Sequence, residues 1–572
     1  MALHLLWIIV LTGAITLGIE RFGFNPTDQG FVVAQSWRVL HGEIPHLDII
    51  SARPLGSAYL HVLDLLLPGP LFLISIAVAT LQMIILTVVL ASWTSDYPLR
   101  QWGLLRTSMV VAAVFLNIHL FPINAWHTID GIFLVVCGWW ALDIGLRTDR
   151  TLLYRFGLFA LGFASITKQS FVPAVAVGLV VLLVHPASKK RPRFRRLGID
   201  IVVLLAAPLA YLLVVTAAGG FGDMLSQLTG GVAATGRRIF DPGFSSSFVI
   251  AIAVFVSAIV FIIVLPQRVP ARWSRWLSVL PASVAVATVL LVVFHGRLER
   301  AGVWGIALFW MLAACVLVDA LSHRTIPWRP LGLLLLAWMA SLSWGYDSPT
   351  LLAGSMVLLT LDLVKRNLLL PTVSEQNLWI RRGGALAAAV TVTVVVAGFV
   401  TVEQAQNPYR DRPRDELVAD LGTAIPEMRG IESNASTFAY IQQIRQCIEA
   451  YPAEDVAILP DNAFVYPALH LHNPFPLDWM LPIELIGDSR ERIRAEADRM
   501  QENGQYLVLF ATVGPEQLAS ASEVPAVVAP TAPIVDPSGV LSDIRSRLKG
   551  RAVSCGSFVG VWAPKAESPA RP

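Results

Sequence analysis

Residues 25–56, NPTDQGFVVAQSWRVLHGEIPHLDIISARPLG, form a stretch of charged and histidine side chains between two long apolar runs. LLWIIVLTGAITLGI (5–19) precedes it and LFLISIAVATLQMIILTVVL (71–90) follows it. Apolar runs of roughly 20 residues are long enough to cross a bilayer. The first run has neither a basic n-region nor an A-x-A-like cleavage site, so it is interpreted as a retained membrane helix rather than a signal peptide. The charged stretch is therefore predicted to lie in a loop (21–69) at one membrane surface.

The composition of the whole chain agrees with a membrane protein. Of its 572 residues, 55% are hydrophobic and 15% are charged, and the mean hydropathy is +0.63. Soluble domains carry about 25% charged residues, so this balance indicates a polytopic membrane protein. The net charge of +3 is small, and no basic stripe with interleaved aromatic side chains is present. Nucleic acid is therefore not an expected partner.

The length criterion of about 20 apolar residues predicts thirteen membrane spans. They lie at 3–20, 70–93, 103–122, 129–146, 152–167, 171–186, 197–218, 245–267, 275–295, 301–321, 328–343, 349–366 and 381–402. Residues 54–67 are apolar but too short to span, and they are predicted to form a helix in the membrane interface.

The lysines and arginines of the short loops give the orientation. Most of them fall on one side when the spans alternate, as in KKRPRFRR (189–196) and QRVPARWSR (267–275). The positive-inside rule places that side and the N-terminus in the cytoplasm. Residues 1–402 are then the transmembrane region, and the tail 403–572 lies outside the cell membrane. The predicted localisation is a multi-pass protein of a bacterial plasma membrane.

The tail is predicted to be a separate small α/β domain. AYIQQIRQCIEAY (439–451) has a helical pattern, whereas DVAILP (455–460) and QYLVLFATV (505–513) are typical of strands. The end, KAESPARP (565–572), is predicted to be disordered. Cys447 and Cys555 are the two cysteines of this region, and outside the cytoplasm they can form a disulfide.

Nucleotide and metal motifs are missing from the sequence. It contains no Walker loop, no G-x-G-x-x-G, no H-E-x-x-H and no paired C-x-x-C. Their absence argues against an ATPase or a zinc protease. Neither a cofactor nor a metal is expected.

The predicted topology places unusual polar residues of several separate loops on the outer face. Ionisable groups at membrane depth are costly and by default indicate a functional cavity. The candidate site residues are Asp28, Asp48, Arg53, His127, Asp130, Lys168, Gln169, Arg297, Arg300 and Tyr346. Carboxylates together with cations suit a substrate that carries an anion and must lose a proton.

Three runs carry a resemblance to a known family: DQGF (28–31), RVLHGEIPHLDI (38–49) and ARPLGSAYL (52–60). They resemble the first outer loop of GT-C fold glycosyltransferases, in particular the group of protein O-mannosyltransferases and lipid A aminoarabinose transferases. Asp28 matches the acidic residue after the first helix in that group, and Arg53-Pro54 matches a basic-Pro pair. The chain departs from the pattern with Ala52 and Leu55, where that group often has an acid and a second proline.

LGFASITKQSFVPAVAVGLVVLL (161–183) is similar to the lysine-bearing helix junction of the same group. The resemblance implies transfer of a sugar from a polyprenyl-phosphate donor to an acceptor hydroxyl on a cell-envelope glycan, lipid or protein. Direct displacement would invert the anomeric centre. Asp28 would be the general base. The implied ligands of the donor phosphate are Arg53, Lys168, Arg297 and Arg300. The implied substrate contacts are Asp48, His127, Asp130, Gln169 and Tyr346.

Simpler roles are open for several of these residues. Asp28 can cap a helix that begins near Gln29, and Asp130 can cap the next predicted helix. Arg53 can pair with Asp48 inside the loop. Two other functions also stay open for the whole chain: a lipid or polysaccharide-precursor flippase, and a catalytically inactive GT-C scaffold.

Overall fold

The computed structural model describes residues 2–119, 123–184, 193–229, 252–253, 256–257, 298–342, 348–368, 378–406, 408–520 and 523–564. The helices up to residue 406 are α1 Ala2–Ile15, α2 Phe31–Leu40, α3 Gly56–Leu66, α4 Leu71–Ser95, α5 Leu104–Ile118, α6 His127–Arg147, α7 Thr151–Thr167, α8 Val172–Val184, α9 Arg193–Ala217, α10 Phe221–Thr229, α11 Leu298–His323, α12 Trp328–Ser341, α13 Ala353–Leu368 and α14 Leu378–Gln406. A π-helical turn, Thr16–Glu20, extends α1. Turns of 3-10 helix span Leu99–Gln101, Gln169–Phe171 and Thr350–Leu352.

Six of the described helices are long and apolar enough to cross a membrane. They are Ala2–Glu20, Leu71–Ser95, His127–Arg147, Leu197–Ala217, Gly305–His323 and Ala389–Gln406. Shorter apolar helices lie at Leu104–Ile118, Thr151–Thr167 and Gln169–Val184. Each predicted span within the described residues is helical, while 245–267 and 275–295 lie almost wholly outside them.

One apolar core joins the helices of the membrane region. Met83 of α4, Val114 of α5, Ile132 of α6 and Leu161 of α7 are all fully buried in it. The helices α11, α12 and α13 contribute to the same core. Apolar side chains around most of the circumference of a helix are typical of helices that pack in a bundle and face lipid.

The first loop forms two short helices, α2 and α3, between α1 and α4. Gly30 has φ +94° at the start of α2, and a Cβ there would lie 2.7 Å from Cβ of Phe464, so the turn needs glycine. Helix α3 is polar towards the protein and apolar outwards: His61 and Asp64 are buried, whereas Leu63 and Leu66 are exposed. This pattern fits the predicted interfacial helix, whose apolar side is expected to face lipid.

The C-terminal region is a small α/β unit. Its helices are α15 Ala435–Ala450, α16 Val465–Ala468, α17 Ser489–Asn503, α18 Pro515–Ser520 and α19 Val540–Arg547. Its strands are β1 Ala419–Asp420, β2 Glu432–Ser433, β3 Asp455–Leu459, β4 Tyr506–Ala511, β5 Arg551–Cys555 and β6 Phe558–Ala563. Further 3-10 turns lie at Arg414–Glu416, Leu421–Thr423 and Pro426–Met428. The main sheet has the order β3-β4-β6-β5, in which β3 and β4 are parallel and the other neighbours antiparallel.

Strand β4 is buried on both faces of this sheet. Leu507 and Leu509 belong to a core with α15, whereas Val508 and Phe510 belong to a second core with α17 and α19. The alternation follows from the two-residue period of a strand. The structure also joins Cys447 of α15 to Cys555 of β5 in a disulfide, with a Cα–Cα distance of 5.8 Å. The predicted fold class, a helical polytopic region followed by a small α/β domain, is confirmed.

The C-terminal unit packs directly on the first loop. Phe31 and Val33 of α2 share a core with α15 and the sheet. Arg38, which is buried, donates from Nη1 to Asp478 Oδ1 at 3.1 Å and from Nε to Glu43 Oε2 at 2.7 Å. The first loop is thus held by apolar burial and by buried ion pairs, and its polar side chains are fixed in place.

Candidate functional site

Lys168 lies at the turn between α7 and the 3-10 turn that leads into α8. Its side chain is buried and donates to Thr128 Oγ1 at 3.1 Å. The first loop abuts this turn so closely that a Cβ on Gly56 would lie 2.5 Å from the carbonyl oxygen of Ile166. Glycine at position 56 therefore allows the loop to approach the lysine.

Arg53 of the first loop reaches the same place. Gln169 Nε2 donates to the carbonyl oxygen of Ala52 at 2.5 Å, which joins the residues next to Lys168 and Arg53. Arg53 Nη2 donates to Glu484 Oε1 at 2.9 Å, and buried Nη1 has no hydrogen-bond partner among the described residues. The predicted alternative pairing of Arg53 with Asp48 is wrong, because the C-terminal unit supplies the carboxylate.

His127 is the third member of this group. It is the first residue of α6 rather than part of a loop, and its side chain is buried. Neither ring nitrogen has a hydrogen-bond partner within the described part of the chain. The positive charges of Arg53 and Lys168 act on it. We call Arg53, Lys168 and His127 with their neighbours Thr128 and Gln169 the cationic group.

A buried network that the sequence reasoning missed lies beside the cationic group. His61 Nδ1 is 2.7 Å from Asp64 Oδ2, and His61 Nε2 is 3.0 Å from Asp130 Oδ1. Burial opposes a charge on the ring, but the Asp130 and Asp64 carboxylates raise the pKa of His61 above its usual value. Gln82 Nε2 also donates to Asp130 Oδ1 at 3.0 Å, while Asp130 Oδ2 has no partner among the described residues.

This network corrects the capping alternative for Asp130. The residue lies in the first turn of α6, but its side chain bonds to His61 of α3 and Gln82 of α4 instead of to its own helix. A sequence signal for the network existed: His61 and Asp64 stand three residues apart on one face of a helix whose other side chains are mostly apolar.

Asp28 belongs to a second group, where the first loop meets the C-terminal region. Its Oδ2 accepts from Tyr409 Oη at 2.8 Å, from Arg410 Nη1 at 3.1 Å and from Asn25 Nδ2 at 3.3 Å. No hydrogen bond among the described residues reaches Oδ1. The capping alternative for Asp28 is wrong, because α2 begins at Phe31 after Gly30 and has no side-chain cap.

The two groups lie at the same end of α2. Asp28 lies three residues before the first residue of this helix, Phe31. The ring of Phe31 is 6.1 Å from the ring of His127. Phe31 also stacks on Trp479 of the C-terminal unit at 3.8 Å. No hydrogen bond or ion pair between described residues joins Asp28 directly to Arg53 or Lys168. The first turn of α2 therefore separates a carboxylate from the cationic group.

The remaining predicted site residues fall elsewhere or outside the description. Asp48 is exposed, and its Oδ2 accepts from the backbone N–H of Ile44 at 2.7 Å, which closes a turn of its own loop. Arg297 and Tyr346 lie outside the described residues, as does the side chain of Arg300. No group of three or more His, Cys, Asp or Glu in the described ranges could hold a metal ion.

The apolar helices define a multi-pass membrane protein, and its buried charges gather where the first loop meets the helices and the C-terminal unit. No protein-family model matches the sequence, and no curated protein matches it.

Solved structures similar to the chain include two membrane transferases. ArnT from Cupriavidus metallidurans in the apo state has 13% sequence identity and a TM-score of 0.47, over 98% of this chain and 97% of that one. The Archaeoglobus fulgidus oligosaccharyltransferase in complex with Zn and sulfate has 13% identity and a TM-score of 0.39, over 89% of this chain and 68% of that one. Both likenesses are weak, so the assignment of function rests on the chain's own side chains.

Proposed function

We propose that this protein is an integral membrane glycosyltransferase of the GT-C type. It moves a sugar from a polyprenyl-phosphate donor to a hydroxyl of a cell-envelope glycan, lipid or protein. The observation that carries the proposal is the cationic group. Arg53 and Lys168 are two like charges held close together, and both have donors to spare. Glu484 neutralises one side of Arg53, but Lys168 has no carboxylate partner among the described residues. A buried ammonium group of this kind is costly unless an anion binds there.

A phosphate is the anion that this group suits best. Arginine offers a planar fork of donors and lysine a point charge, and the two together can hold the oxygens of a phosphate. Gln169 and the ring nitrogens of His127, which have no hydrogen-bond partner among the described residues, add polar groups to the same place. In the reaction the phosphate leaves with the bonding electrons, and fixed cations stabilise its developing charge. Arg297 and Arg300 are further proposed ligands of the phosphate from the sequence resemblance.

Asp28 is the proposed general base. Three donors hold its Oδ2, so the carboxylate is oriented in advance, and Oδ1 is left to accept a proton. The acceptor oxygen bonds to the anomeric carbon as the bond to the phosphate oxygen breaks. The hydroxyl proton goes to Asp28, and direct displacement inverts the anomeric centre. Asp48, Asp130 and Tyr346 are kept as proposed substrate contacts.

The orientation of the protein is part of the proposal. Basic loops on one side place the N-terminus in the cytoplasm, and the C-terminal unit then lies outside the plasma membrane. The lipid donor reaches the cationic group from the outer leaflet, and its phosphate replaces the soluble nucleotide that other transferases bind.

The proposal is tested by sugar transfer in vitro with purified protein and a panel of polyprenyl-phosphate sugars. We expect the wild type to form a glycosidic bond, and Asp28→Asn to lose transfer while it still folds. Asp498→Asn is the matched control, since Asp498 is a half-exposed residue paired with Arg547 on the C-terminal unit. Full activity of the folded Asp28→Asn variant would refute the base assignment. Movement of labelled lipid across liposomes without a new bond would instead identify a flippase.

A further inference from the structure

Asp461 follows strand β3 and faces the first loop. It stands at the carboxyl end of the parallel pair β3 and β4, the end of a parallel sheet at which functional groups usually collect. Its side chain is 7% exposed, and its Oδ2 accepts from the hydroxyl of Thr27 at 2.6 Å. The C-terminal unit thus contacts the residue that directly precedes Asp28.

The turn that carries Asp28 is held from two sides. Thr27 is bound by Asp461, and its backbone N–H donates to Asn25 Oδ1 at 3.0 Å. On the other side Tyr409 and Arg410 bind Asp28 itself. The position of the Asp28 carboxylate therefore depends on contacts that residues 403–572 supply.

The two carboxyl groups also interact electrostatically. Burial raises the pKa of Asp461 to about 6, the hydrogen bond from Thr27 opposes this, and the negative charge of Asp28 adds to it. The charge of Arg410 lowers the pKa of Asp461, and the Asp461 carboxyl in turn acts on Tyr440 of α15. Two carboxyl groups close together repel each other when both are ionised, and this repulsion favours the protonated form of Asp461.

We propose that Asp461 is a positioning residue for Asp28: it fixes the turn through Thr27, and its carboxyl group interacts electrostatically with that of Asp28. The inference rests on the proposed function, in which Asp28 takes the acceptor proton. It assigns the C-terminal unit a direct part in the site, since the base is held by a residue that lies more than 400 positions away in the sequence.

Transfer kinetics give the first test. Asp461→Ala, which cannot accept from Thr27, is expected to lower kcat about tenfold while the KM for the lipid donor changes less than about twofold. Asp461→Asn keeps an acceptor for Thr27 but does not titrate. It is expected to retain activity and to lose the limb of the pH–rate profile near pH 6. Wild-type kcat and pH profile in both variants would overturn the proposal.

A second test needs no activity and so separates this inference from the proposed function. Thermal unfolding of the full chain in detergent is followed from pH 4 to pH 8 for the wild type, Asp461→Asn, Asp28→Asn and the control Asp498→Asn. Because the pKa of Asp461 is raised in the folded state, the wild type is expected to lose stability as the pH rises from 4 to 6. Asp461→Asn is expected to remove this loss. Asp28→Asn is expected to reduce that loss, because the neighbouring charge is gone. If Asp28→Asn leaves the pH dependence unchanged, the two carboxyls are not coupled and the inference fails.

Discussion

His46 is buried in the first loop at the junction of three parts of the molecule. Its Nδ1 is 2.8 Å from Gln227 Oε1, and its Nε2 is 2.8 Å from the hydroxyl of Tyr211. Its carbonyl oxygen accepts from Gln227 Nε2 at 2.9 Å and from Arg492 Nη1 at 3.0 Å. The residue also has φ 67°, a conformation that asparagine tolerates better than most residues. His46 therefore joins the first loop to α9, α10 and α17.

Burial lowers the pKa of His46 to about 4, although the hydrogen bond to Gln227 raises it slightly. The unfolded chain has a pKa near 6.5, so acid protonates the unfolded state first. The stability contributed by neutral His46 is present above pH 6.5 and is lost as the pH falls towards 4. At 1.36 kcal/mol per unit, a shift of about 2.5 units corresponds to about 3 kcal/mol at pH 4.

The variant His46→Asn is expected to be less stable than the wild type at pH 7, because the Tyr211 hydroxyl loses its acceptor. The difference between the two proteins should shrink by about 3 kcal/mol between pH 7 and pH 4, since asparagine does not titrate. The free energy of unfolding is measured in one detergent by denaturant titration at each pH. A difference that is constant across this range would refute the account of His46 as a buried neutral group.

Three other changes test the site and the fold. Lys168→Met should raise the melting temperature of the ligand-free protein, because it removes a buried ammonium group and, with it, the repulsion from Arg53. It should also abolish the melting shift that polyprenyl phosphate produces in the wild type, and an unchanged ligand shift would contradict the phosphate role. Gly30→Ala should destabilise the protein by about 2 kcal/mol or more, through its positive φ and the contact with Phe464, and equal denaturation midpoints would contradict this. Replacing Cys447 and Cys555 with alanine should cost about 2–5 kcal/mol of stability, because the disulfide closes a loop of 108 residues. Wild-type stability of the double variant under oxidising conditions would argue against the disulfide.

The sequence predicts the architecture of the membrane region well because a bilayer allows few kinds of backbone structure. Backbone groups in lipid must be satisfied within a helix, so an apolar run of sufficient length predicts a helix almost by itself. Strands β3 and β4 were predictable for a similar reason, since short apolar runs bounded by polar turns are typical of buried strands. Helix α3 was predicted as interfacial from its length alone, without reference to the network it carries.

The partners of the site residues could not be predicted in the same way. Pairing with Asp48, five positions away, was one alternative left open for Arg53, but Arg53 pairs with Glu484, more than 400 positions away. Asp28 and Asp130 were open to a capping role, yet both side chains bond across elements. Sequence spacing describes contacts within one helix or loop, whereas these contacts arise where separate elements pack together.

By itself the sequence predicted apolar membrane helices up to residue 402 and a small α/β unit after them. It also identified Asp28, Arg53 and Lys168 as unusual charges in an apolar chain. Periodicity and the cost of burying charge are local properties, so they can be read along the chain. Only the tertiary structure decided that Arg53, Lys168 and His127 converge and that Asp28 is held by the C-terminal unit. These arrangements depend on which surfaces bury each other, and glycines such as Gly30 and Gly56 bring those surfaces close enough for the charges to meet.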